Sequence, residues 1–346
     1  MQSGKTVKVK TELVGRDEAF RILAVGHATG LPVLLIGSPG TAKTNTLIDY
    51  ASSVMNADIR SNDIFMLEVD EGTRSNEVKG NPDMKELIEN KTFKRKSPIT
   101  EAKLIIINEV DKASSGLRNS FLGIMNEKIL FDGERKIDCN HELFCASCNQ
   151  IPQDEKDSPF WDRFVIKYRV ERIPQSGLIK FLSEDTNTEM GIYIPSADEM
   201  ANIKFRDSAI EAFVKTTYGA LTDRSILHIR KIAPAVKFVY NVSPERALIK
   251  ATMLIGTKHL ADALAKAIEP AELRNIRNKI DTLSSLNNIA DIKKDIQQII
   301  DLTEKAYKNG IVDRDIAKEL QDELNTVLEK HPVYVSSESY LEESQF

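Results

Sequence analysis

The stretch GSPGTAKT, residues 37–44, decides the fold class of this chain. It directly follows the apolar run Pro32–Ile36 and directly precedes helical periodicity over Thr44–Met55. A strand, a glycine-bearing loop with Lys-Thr, and a helix in this order are typical of a P-loop, whose backbone N–H groups cradle phosphates. We predict nucleotide contacts for every residue of the loop, namely Gly37, Ser38, Pro39, Gly40, Thr41, Ala42, Lys43 and Thr44.

Three positions of this loop carry specific expectations. Lys43 is expected to reach the β- and γ-phosphates of ATP, and the Thr44 hydroxyl is expected to ligate Mg²⁺. Ala42 stands where the general pattern has a second glycine, so the local backbone angles must tolerate a methyl group there. The predicted cofactors are therefore ATP and Mg²⁺.

A second apolar strand, Leu104–Ile107, ends in the polar pair Asn108 and Glu109. In a P-loop ATPase the first of these positions orients water on Mg²⁺, and the second polarises the attacking water. A carboxylate is usual at the first position, whereas here an amide occupies it. Since an amide brings no negative charge, we expect weaker Mg²⁺ binding or slower turnover, with Thr44 and Asn108 as the metal-site residues.

The alternation of short apolar runs and helical patterns in the first half predicts an α/β fold with a parallel sheet flanked by helices. The expected strands are Pro32–Ile36, Ile64–Val69, Leu104–Ile107, Leu143–Ser147 and Phe164–Tyr168, and the expected helices between them are Thr44–Met55 and Ser114–Asn126. We place this nucleotide-binding domain over residues 1–190.

The pattern beyond residue 190 is helical only. The predicted helices are Ser208–Thr217, Arg224–Tyr240 and Pro244–Gly256, with Ser243 as the cap of the last, followed by a helical hairpin over Ile289–Leu328 that breaks at Asn309-Gly310 and restarts at Asp313. We predict a helical lid domain over residues 191–260, a C-terminal helical extension over 261–330 and a flexible tail over 331–346.

Composition restricts the class of partner. Of the 346 residues, 41% are hydrophobic and 29% are charged, with a formal net charge of −5. Such a chain has no overall basic field for nucleic acid, although the basic run Lys91–Lys96 leaves a local patch open. The polar N-terminus and the short apolar runs predict a cytoplasmic protein without a membrane span.

Several motifs, taken together, resemble one known family. They are Val14-Gly15-Arg16-Asp17-Glu18, the Pro-Gly-x-Ala-Lys-Thr form of the P-loop, Asn108-Glu109-Val110-Asp111-Lys112-Ala113, and the helix leading to Met125-Asn126-Glu127. In their order they resemble the MoxR branch of AAA+ ATPases, including its RavA-like members. Ala42 is itself usual in this branch, whereas Asn108 departs from the branch's Asp.

The resemblance implies roles for five further residues. Val14 and Gly15 would lie near the adenine. Asn149, in Cys145–Gln150, would be the sensor 1 residue that binds the γ-phosphate or the lytic water. Arg163, in Trp161-Asp162-Arg163-Phe164, would be the arginine finger offered to a neighbouring subunit, and Arg224 would be the sensor 2 residue.

The resemblance also implies an activity and partners. Its members are ring-forming ATPases, and we expect a homo-oligomer, a hexameric ring, that couples ATP hydrolysis to the remodelling or maturation of a protein client. A partner with a von Willebrand A domain is expected on the same ground. Two alternatives stay open: a nucleotide-gated scaffold with slow or no hydrolysis because of Asn108, and a DNA-remodelling motor that uses Lys91–Lys96.

Overall fold

The computed structural model describes residues 4–82, 84–89, 95–133, 135–152, 159–173, 188–286, 288–309, 311–312, 314–329 and 331. The chain divides into two compact units. The P-loop unit comprises residues 1–203 and 222–240, and the helical unit comprises residues 204–221 and 241–346. The domain boundaries placed at 190, 260 and 330 from sequence stay predictions.

A five-stranded parallel sheet forms the centre of the P-loop unit. Across the sheet its strands are β10 (Ile166–Arg169), β2 (Val33–Ile36), β9 (Leu143–Cys148), β6 (Leu104–Asn108) and β3 (Ile64–Glu68). Strands β2, β6 and β9 are buried along their whole length, as continuous apolar runs in a parallel sheet require. The predicted α/β fold with a parallel sheet is confirmed.

Helices cover the sheet. They include α1 (Asp17–Thr29), α2 (Lys43–Val54) and α5 (Ser115–Glu127), with the shorter α3 (Ser75–Lys79), α4 (Met84–Glu89), α6 (Pro159–Asp162) and α7 (Ala197–Ala201) in the connections. Helix α5 begins after Ser114, whose hydroxyl accepts a hydrogen bond from the Leu117 N–H at 3.3 Å. Its buried Leu117, Phe121 and Ile124 recur at helical spacing and pack on the sheet.

Three antiparallel pairs complete the strands of the P-loop unit. Strands β7 (Ile129–Asp132) and β8 (Arg135–Asp138) form a hairpin whose turn contains Gly133 at φ +63°. Glu134 itself lies outside the described residues. Strands β1 (Lys5–Thr11) and β11 (Thr188–Ile194) pair over seven residues, and β4 (Asn81–Pro82) pairs with β5 (Arg95–Lys96).

Helix α9 (Asp223–Tyr240) packs within the P-loop unit although it comes late in the chain. The Tyr240 hydroxyl donates to Glu18 Oε1 at 2.7 Å, and the Arg21 guanidinium lies 5.5 Å from the centre of the Tyr240 ring. These contacts fix the C-terminal end of α9 on α1. Arg224, in the first turn of α9, therefore belongs to the same unit as the P-loop.

The helical unit contains α8 (Asp207–Thr217), α10 (Pro244–Ile255), α11 (Lys258–Ile268), α12 (Ala271–Leu283), α13 (Ile289–Lys308) and α14 (Arg314–Glu329). The predicted cap is present, since Ser243 Oγ accepts from the Arg246 N–H at 3.3 Å. The predicted hairpin is α13 and α14, although Gly310 and Asp313 lie outside the described residues. No helix in the described ranges is both long and apolar enough to cross a bilayer.

A buried ion cluster ties the end of the helical unit together. Arg277 of α12 is only 4% exposed, and its guanidinium pairs with Glu269, with Glu319 Oε1 at 2.7 Å and with Glu323 Oε2 at 3.4 Å. Burial raises the pKa of the Glu319 carboxyl, while the Arg277 charge opposes that shift. The cluster links α12 to α14 through charges that have little access to water.

Candidate functional site

The predicted site residues gather at the carboxyl edge of the parallel sheet. The P-loop follows β2, Asn108 and Glu109 end β6, and Asn149 follows β9. These three strands are neighbours, in the order β2, β9, β6. The Gly37 N–H donates to the Cys148 carbonyl at 3.1 Å, which joins the start of the loop to the end of β9. Ligands of open α/β sheets bind at this edge.

The loop holds its lysine against its own backbone. Lys43 Nζ donates to the carbonyls of Gly37 at 2.7 Å and Ser38 at 3.1 Å, and Thr41 Oγ1 donates to the Ser38 carbonyl at 2.9 Å. Partial burial lowers the pKa of the Lys43 ammonium, and nearby acidic groups oppose that shift. The ammonium is thus held within the cradle, while Ser38, Pro39 and Gly40 form its exposed rim.

Two residues of the loop adopt left-handed backbone angles. Gly40 has φ +77°, and Ala42 has φ +56° and ψ +30°. Successive backbone groups in such conformations turn their N–H groups toward one concave side, where anions bind. Ala42 therefore takes the backbone conformation for which a glycine is usual, at a cost of about 1–2 kcal/mol for a residue with a Cβ atom.

Hydroxyl groups surround the Asn108 amide. Thr44 Oγ1 donates to Asn108 Oδ1 at 3.2 Å, and Ser147 Oγ of β9 donates to the same oxygen at 3.0 Å. The three side chains come from α2, β6 and β9, and Asn108 and Ser147 are buried. The structure thus brings together Thr44 and Asn108, the two predicted metal-site residues. Ser147 was missed from sequence, although it is the one hydroxyl in the apolar strand LFCASC.

Glu109 occupies a strained backbone position beside this group. Its φ is +55° and its ψ is +40°, values that a residue with a long side chain rarely adopts. Its carboxylate pairs with the Lys112 ammonium three residues on and raises the pKa of that lysine. Non-glycine residues in this conformation concentrate at functional sites.

The end of β9 is connected to the turn that follows β6. The Asn149 backbone N–H donates to Asp111 Oδ2 at 3.4 Å, across the two strand ends. The sensor 1 candidate Asn149 therefore lies beside the Glu109 turn. Asp111 was not predicted as a site residue, and its sequence signal was only its place two residues after Glu109.

A buried arginine to which no role was assigned from sequence braces the P-loop. Arg16 Nη2 donates to the Thr41 carbonyl at 3.0 Å, and its Nη1 donates to the Glu171 carbonyl at 3.0 Å. The predicted adenine-site residues Val14 and Gly15 come directly before it, and Gly15 has φ +71°. Arg16 thus fixes the segment with Val14 and Gly15 against the loop.

The two predicted arginines lie near the Asp162 carboxylate. Arg224 Nη1 lies 3.3 Å from Asp162 Oδ2, and Thr222 Oγ1 donates to Asp162 Oδ1 at 3.1 Å. Arg163 Nη1 donates to the Pro159 carbonyl at 2.6 Å. Burial and then repulsion from Arg224 lower the pKa of Arg163, so the two guanidiniums lie within each other's field.

These arginines do not pair with the P-loop in the described part of the chain. Of their buried nitrogen atoms, Arg163 Nε has no hydrogen-bond partner there, and Arg224 Nη1 has only its ion pair with Asp162. Asp162 pairs with Arg224, while Arg163 lies in the field of two carboxylates, Glu127 and Asp162. Such a cluster suits an anionic ligand that does not belong to this chain.

The basic run Lys91–Lys96 lies mostly outside the described residues. Residues 91–94 lie outside the described residues, and only the backbone of Arg95 and Lys96 is described, as β5. The nucleic-acid reading of this run stays a prediction.

The residues present fit a nucleotide with a divalent cation. The cradle offers backbone N–H groups and the Lys43 charge to phosphates, and Thr44 and Asn108 offer the hard oxygen atoms that Mg²⁺ prefers. The fit is weaker in charge than in geometry. Asn108 is neutral, and Lys112 neutralises Glu109.

Comparison with known proteins agrees with this geometry. The family model for the MoxR domain in MoxR–vWA–beta-propeller ternary systems matches residues 2–204. An uncharacterized protein of Methanocaldococcus jannaschii is 27% identical over 337 residues, a match that covers 86% of each chain. A structural protein of Acidianus two-tailed virus is 30% identical over 165 residues, which are 47% of this chain and only 26% of the viral protein.

A solved structure supports the fold. A crystal structure from Cytophaga hutchinsonii, provisionally described as an ATPase, superposes with a TM-score of 0.56 at 17% identity and covers 74% of this chain and 91% of its own. At this identity the likeness concerns the fold alone. The family model, by contrast, matches more than half of the chain. The chain therefore belongs to the MoxR family of AAA+ ATPases, in the group of MoxR domains from MoxR–vWA–beta-propeller ternary systems.

Proposed function

We propose that this chain assembles into a hexameric ring that binds ATP between subunits and couples its slow hydrolysis to the remodelling of a protein client. The observation that carries the proposal is the convergence of Lys43, Thr44, Asn108 and Glu109 at the carboxyl edge of the sheet. The family description, which places such domains with vWA and beta-propeller proteins, supports a von Willebrand A domain protein as partner.

Each residue at this edge has a distinct part in the proposed reaction. Bound ATP with Mg²⁺ supplies the phosphoanhydride and the cation that neutralises charge on its phosphates. Lys43 leaves the carbonyls of Gly37 and Ser38 and holds the β- and γ-phosphates. Glu109 orients the attacking water and accepts its proton, which requires that it exchange its Lys112 contact. Asn149 holds the γ-phosphate or this water.

Asn108 sets the rate in this proposal. Its amide oxygen accepts hydrogen bonds from Thr44 and Ser147, as a carboxylate would, but it adds no negative charge beside the cation. Charge on the ligand set contributes strongly to cation binding in a site partly shielded from water. We therefore expect ATP to bind and hydrolysis to be slow.

Steady-state phosphate release by the full chain tests this proposal. We expect the wild type to exceed Lys43→Ala, which removes the phosphate-binding charge, and Asn108→Asp to exceed the wild type by about tenfold. If the wild type equals Lys43→Ala while Asn108→Asp is active, the chain is a nucleotide-gated scaffold rather than a motor. No activity in Asn108→Asp would contradict the assigned site itself.

The two guanidiniums near Asp162 support a contribution of this subunit to the nucleotide of its neighbour. We propose that Arg163 and Arg224 act together on the nucleotide of the next protomer, where Arg163 Nε gains a partner and Arg224 exchanges its Asp162 contact for the phosphates. Both come from one surface of the P-loop unit, since Asp162 lies between them.

Mixing of inactive subunits distinguishes this arrangement from one in which Arg224 acts within its own subunit. A mixture of Lys43→Ala and Arg163→Ala protomers regains activity if Arg163 acts across the interface. A mixture of Arg163→Ala and Arg224→Ala stays inactive if both act from the same protomer. Recovery in that second mixture would show that Arg224 serves its own nucleotide.

A further inference from the structure

The phosphate site lacks a free negative charge at Asn108 and Glu109, the two residues predicted at the end of the second strand. Asn108 is neutral, and its oxygen atom accepts from two hydroxyls. Glu109 is ionic but already pairs with Lys112. A divalent cation at Thr44 would therefore meet no unpaired carboxylate from either residue, which leaves open what supplies the negative charge.

Asp111 is a carboxylate three residues beyond Asn108. It lies in the short turn Val110–Lys112 directly after Glu109, and the Arg118 guanidinium holds that turn by donating to the Asp111 carbonyl at 3.0 Å. Its Oδ2 accepts from the Asn149 N–H at 3.4 Å. The side chain thus bridges the ends of β6 and β9, at the edge where the P-loop lies.

One oxygen of this carboxylate has no partner. Asp111 Oδ1 is shielded from solvent and makes no hydrogen bond to the described residues. A buried, unpaired carboxylate oxygen loses its water without compensation, which is unfavourable. Groups of this kind in a native fold call for a function or an ion that the fold alone does not supply.

The field of Asp111 reaches the P-loop. Burial is the largest influence on the Lys43 ammonium and lowers its pKa, while Cys148, Asp111 and Glu109, in that order, oppose the shift. The Asp111 charge also raises the pKa of the Cys148 thiol at the end of β9, after the larger effect of burial.

We propose that Asp111, from the turn beyond β6, supplies negative charge that helps to hold the divalent cation of bound nucleotide, while hydrolysis stays slow because Asn108 itself is neutral. The inference rests on the proposed nucleotide site. A purely structural Asp111 would instead serve only to hold the Asn149 backbone. The two readings differ in how the charge affects nucleotide with and without metal.

The test is the affinity for the fluorescent analogue mant-ATP, measured with excess Mg²⁺ and again with EDTA. Without metal, a carboxylate beside the phosphates repels them, whereas with metal it favours binding. Asp111→Asn is therefore expected to weaken binding in Mg²⁺ by about 10–100-fold, the usual effect of losing an outer carboxylate of a metal site. In EDTA its affinity is expected to stay equal or to rise.

Two further variants keep the inference falsifiable. The charge-exchanged pair Asn108→Asp with Asp111→Asn is expected to regain the Mg²⁺ dependence of the wild type. Asp111→Ser repeats the loss if Asp111→Asn does not fold. The control Asp138→Asn removes an exposed carboxylate of β8 and is expected to bind like the wild type under both conditions.

The outcomes separate this inference from the proposed function. Equal weakening of Asp111→Asn in Mg²⁺ and in EDTA, or no change in either, would overturn the inference and leave the nucleotide site intact. No mant-ATP binding by the wild type in Mg²⁺, with Lys43→Ala indistinguishable from it, would overturn the proposed function and this inference with it.

Discussion

Replacing Ala42 with glycine is expected to stabilise the P-loop unit, the opposite of what an alanine-to-glycine change does in an ordinary helix. Ala42 has φ +56° and ψ +30°, which costs a residue with a Cβ atom about 1–2 kcal/mol. Glycine removes that cost, but its greater conformational entropy in the unfolded chain lowers stability by about 0.5–1 kcal/mol. Since the Ala42 methyl is half-buried, its loss offsets only part of the gain. We expect a net stabilisation of about 0.5–1 kcal/mol.

A matched substitution lies two residues away. Gly40 has φ +77°, and a Cβ atom added there meets nothing within 4 Å. Gly40→Ala therefore changes the backbone strain without a steric clash, and we expect it to destabilise the unit by about 0.5–1 kcal/mol. The pair of variants moves stability in opposite directions through the same physical cause.

Denaturant unfolding followed by tryptophan fluorescence measures both changes. Trp161 is the single tryptophan of the chain, is fully buried and belongs to the P-loop unit, so its emission reports on that unit. A change of 1 kcal/mol corresponds to about 2–4 °C in melting temperature for a unit of this size. Destabilisation by Ala42→Gly, as in an ordinary helix, would refute the left-handed conformation of Ala42 and with it the shape given to the loop.

Three other perturbations test separate parts of the structure. Arg16→Gln removes charge-assisted hydrogen bonds to the carbonyls of Thr41 and Glu171. It should lower the unfolding free energy of the P-loop unit, measured with denaturant, by about 2–3 kcal/mol. A loss below about 0.5 kcal/mol would contradict the bracing role of Arg16. Burial, and then the Lys128 charge, lower the pKa of His141 from 6.5 to about 4. Between pH 6.5 and pH 4 the unfolded chain therefore binds more protons than the folded chain, and stability falls as the pH falls through this range. His141→Phe should recover about 2 kcal/mol of the stability that is lost between pH 7.5 and pH 5. An unchanged pH dependence of the unfolding free energy would contradict this role of His141. Arg277→Met leaves buried carboxylates unpaired and should destabilise the helical unit by about 3–5 kcal/mol at pH 7.5, measured by circular dichroism. The loss should be smaller at pH 5, where those carboxyls protonate more readily. An equal loss at both pH values would exclude the unpaired carboxylates as its cause.

The sheet was predictable because its strands are uniform. Each of β2, β6 and β9 is a short, continuous apolar run, and only a strand covered on both faces by helices tolerates such a run. The observed strands agree with the predicted ones within about two residues. Pairing of β1 with β11 was not predictable, because its residues are separated by almost the length of the unit and alternate only weakly in burial.

The same contrast holds at the site. The loop Gly37–Thr44 and the pair Asn108 and Glu109 carry spacing signals that sequence alone reveals. Ser147 and Asp111 carry only weak signals, since each acts through a neighbour that the chain brings close only on folding. Arg16 lay inside a recognised motif, yet its burial against the Thr41 carbonyl depends on packing that no local pattern encodes.

Calorimetric titration of the full chain with ATP in excess Mg²⁺ tests the central claim, that the loop Gly37–Thr44 is a nucleotide site. We expect saturable binding of one ATP per chain by the wild type. Lys43→Ala should weaken it by at least about tenfold, because each charge-assisted hydrogen bond to phosphate contributes about 1.5–3 kcal/mol. Absence of saturable binding in the wild type, or equal affinity in Lys43→Ala, would contradict the assignment.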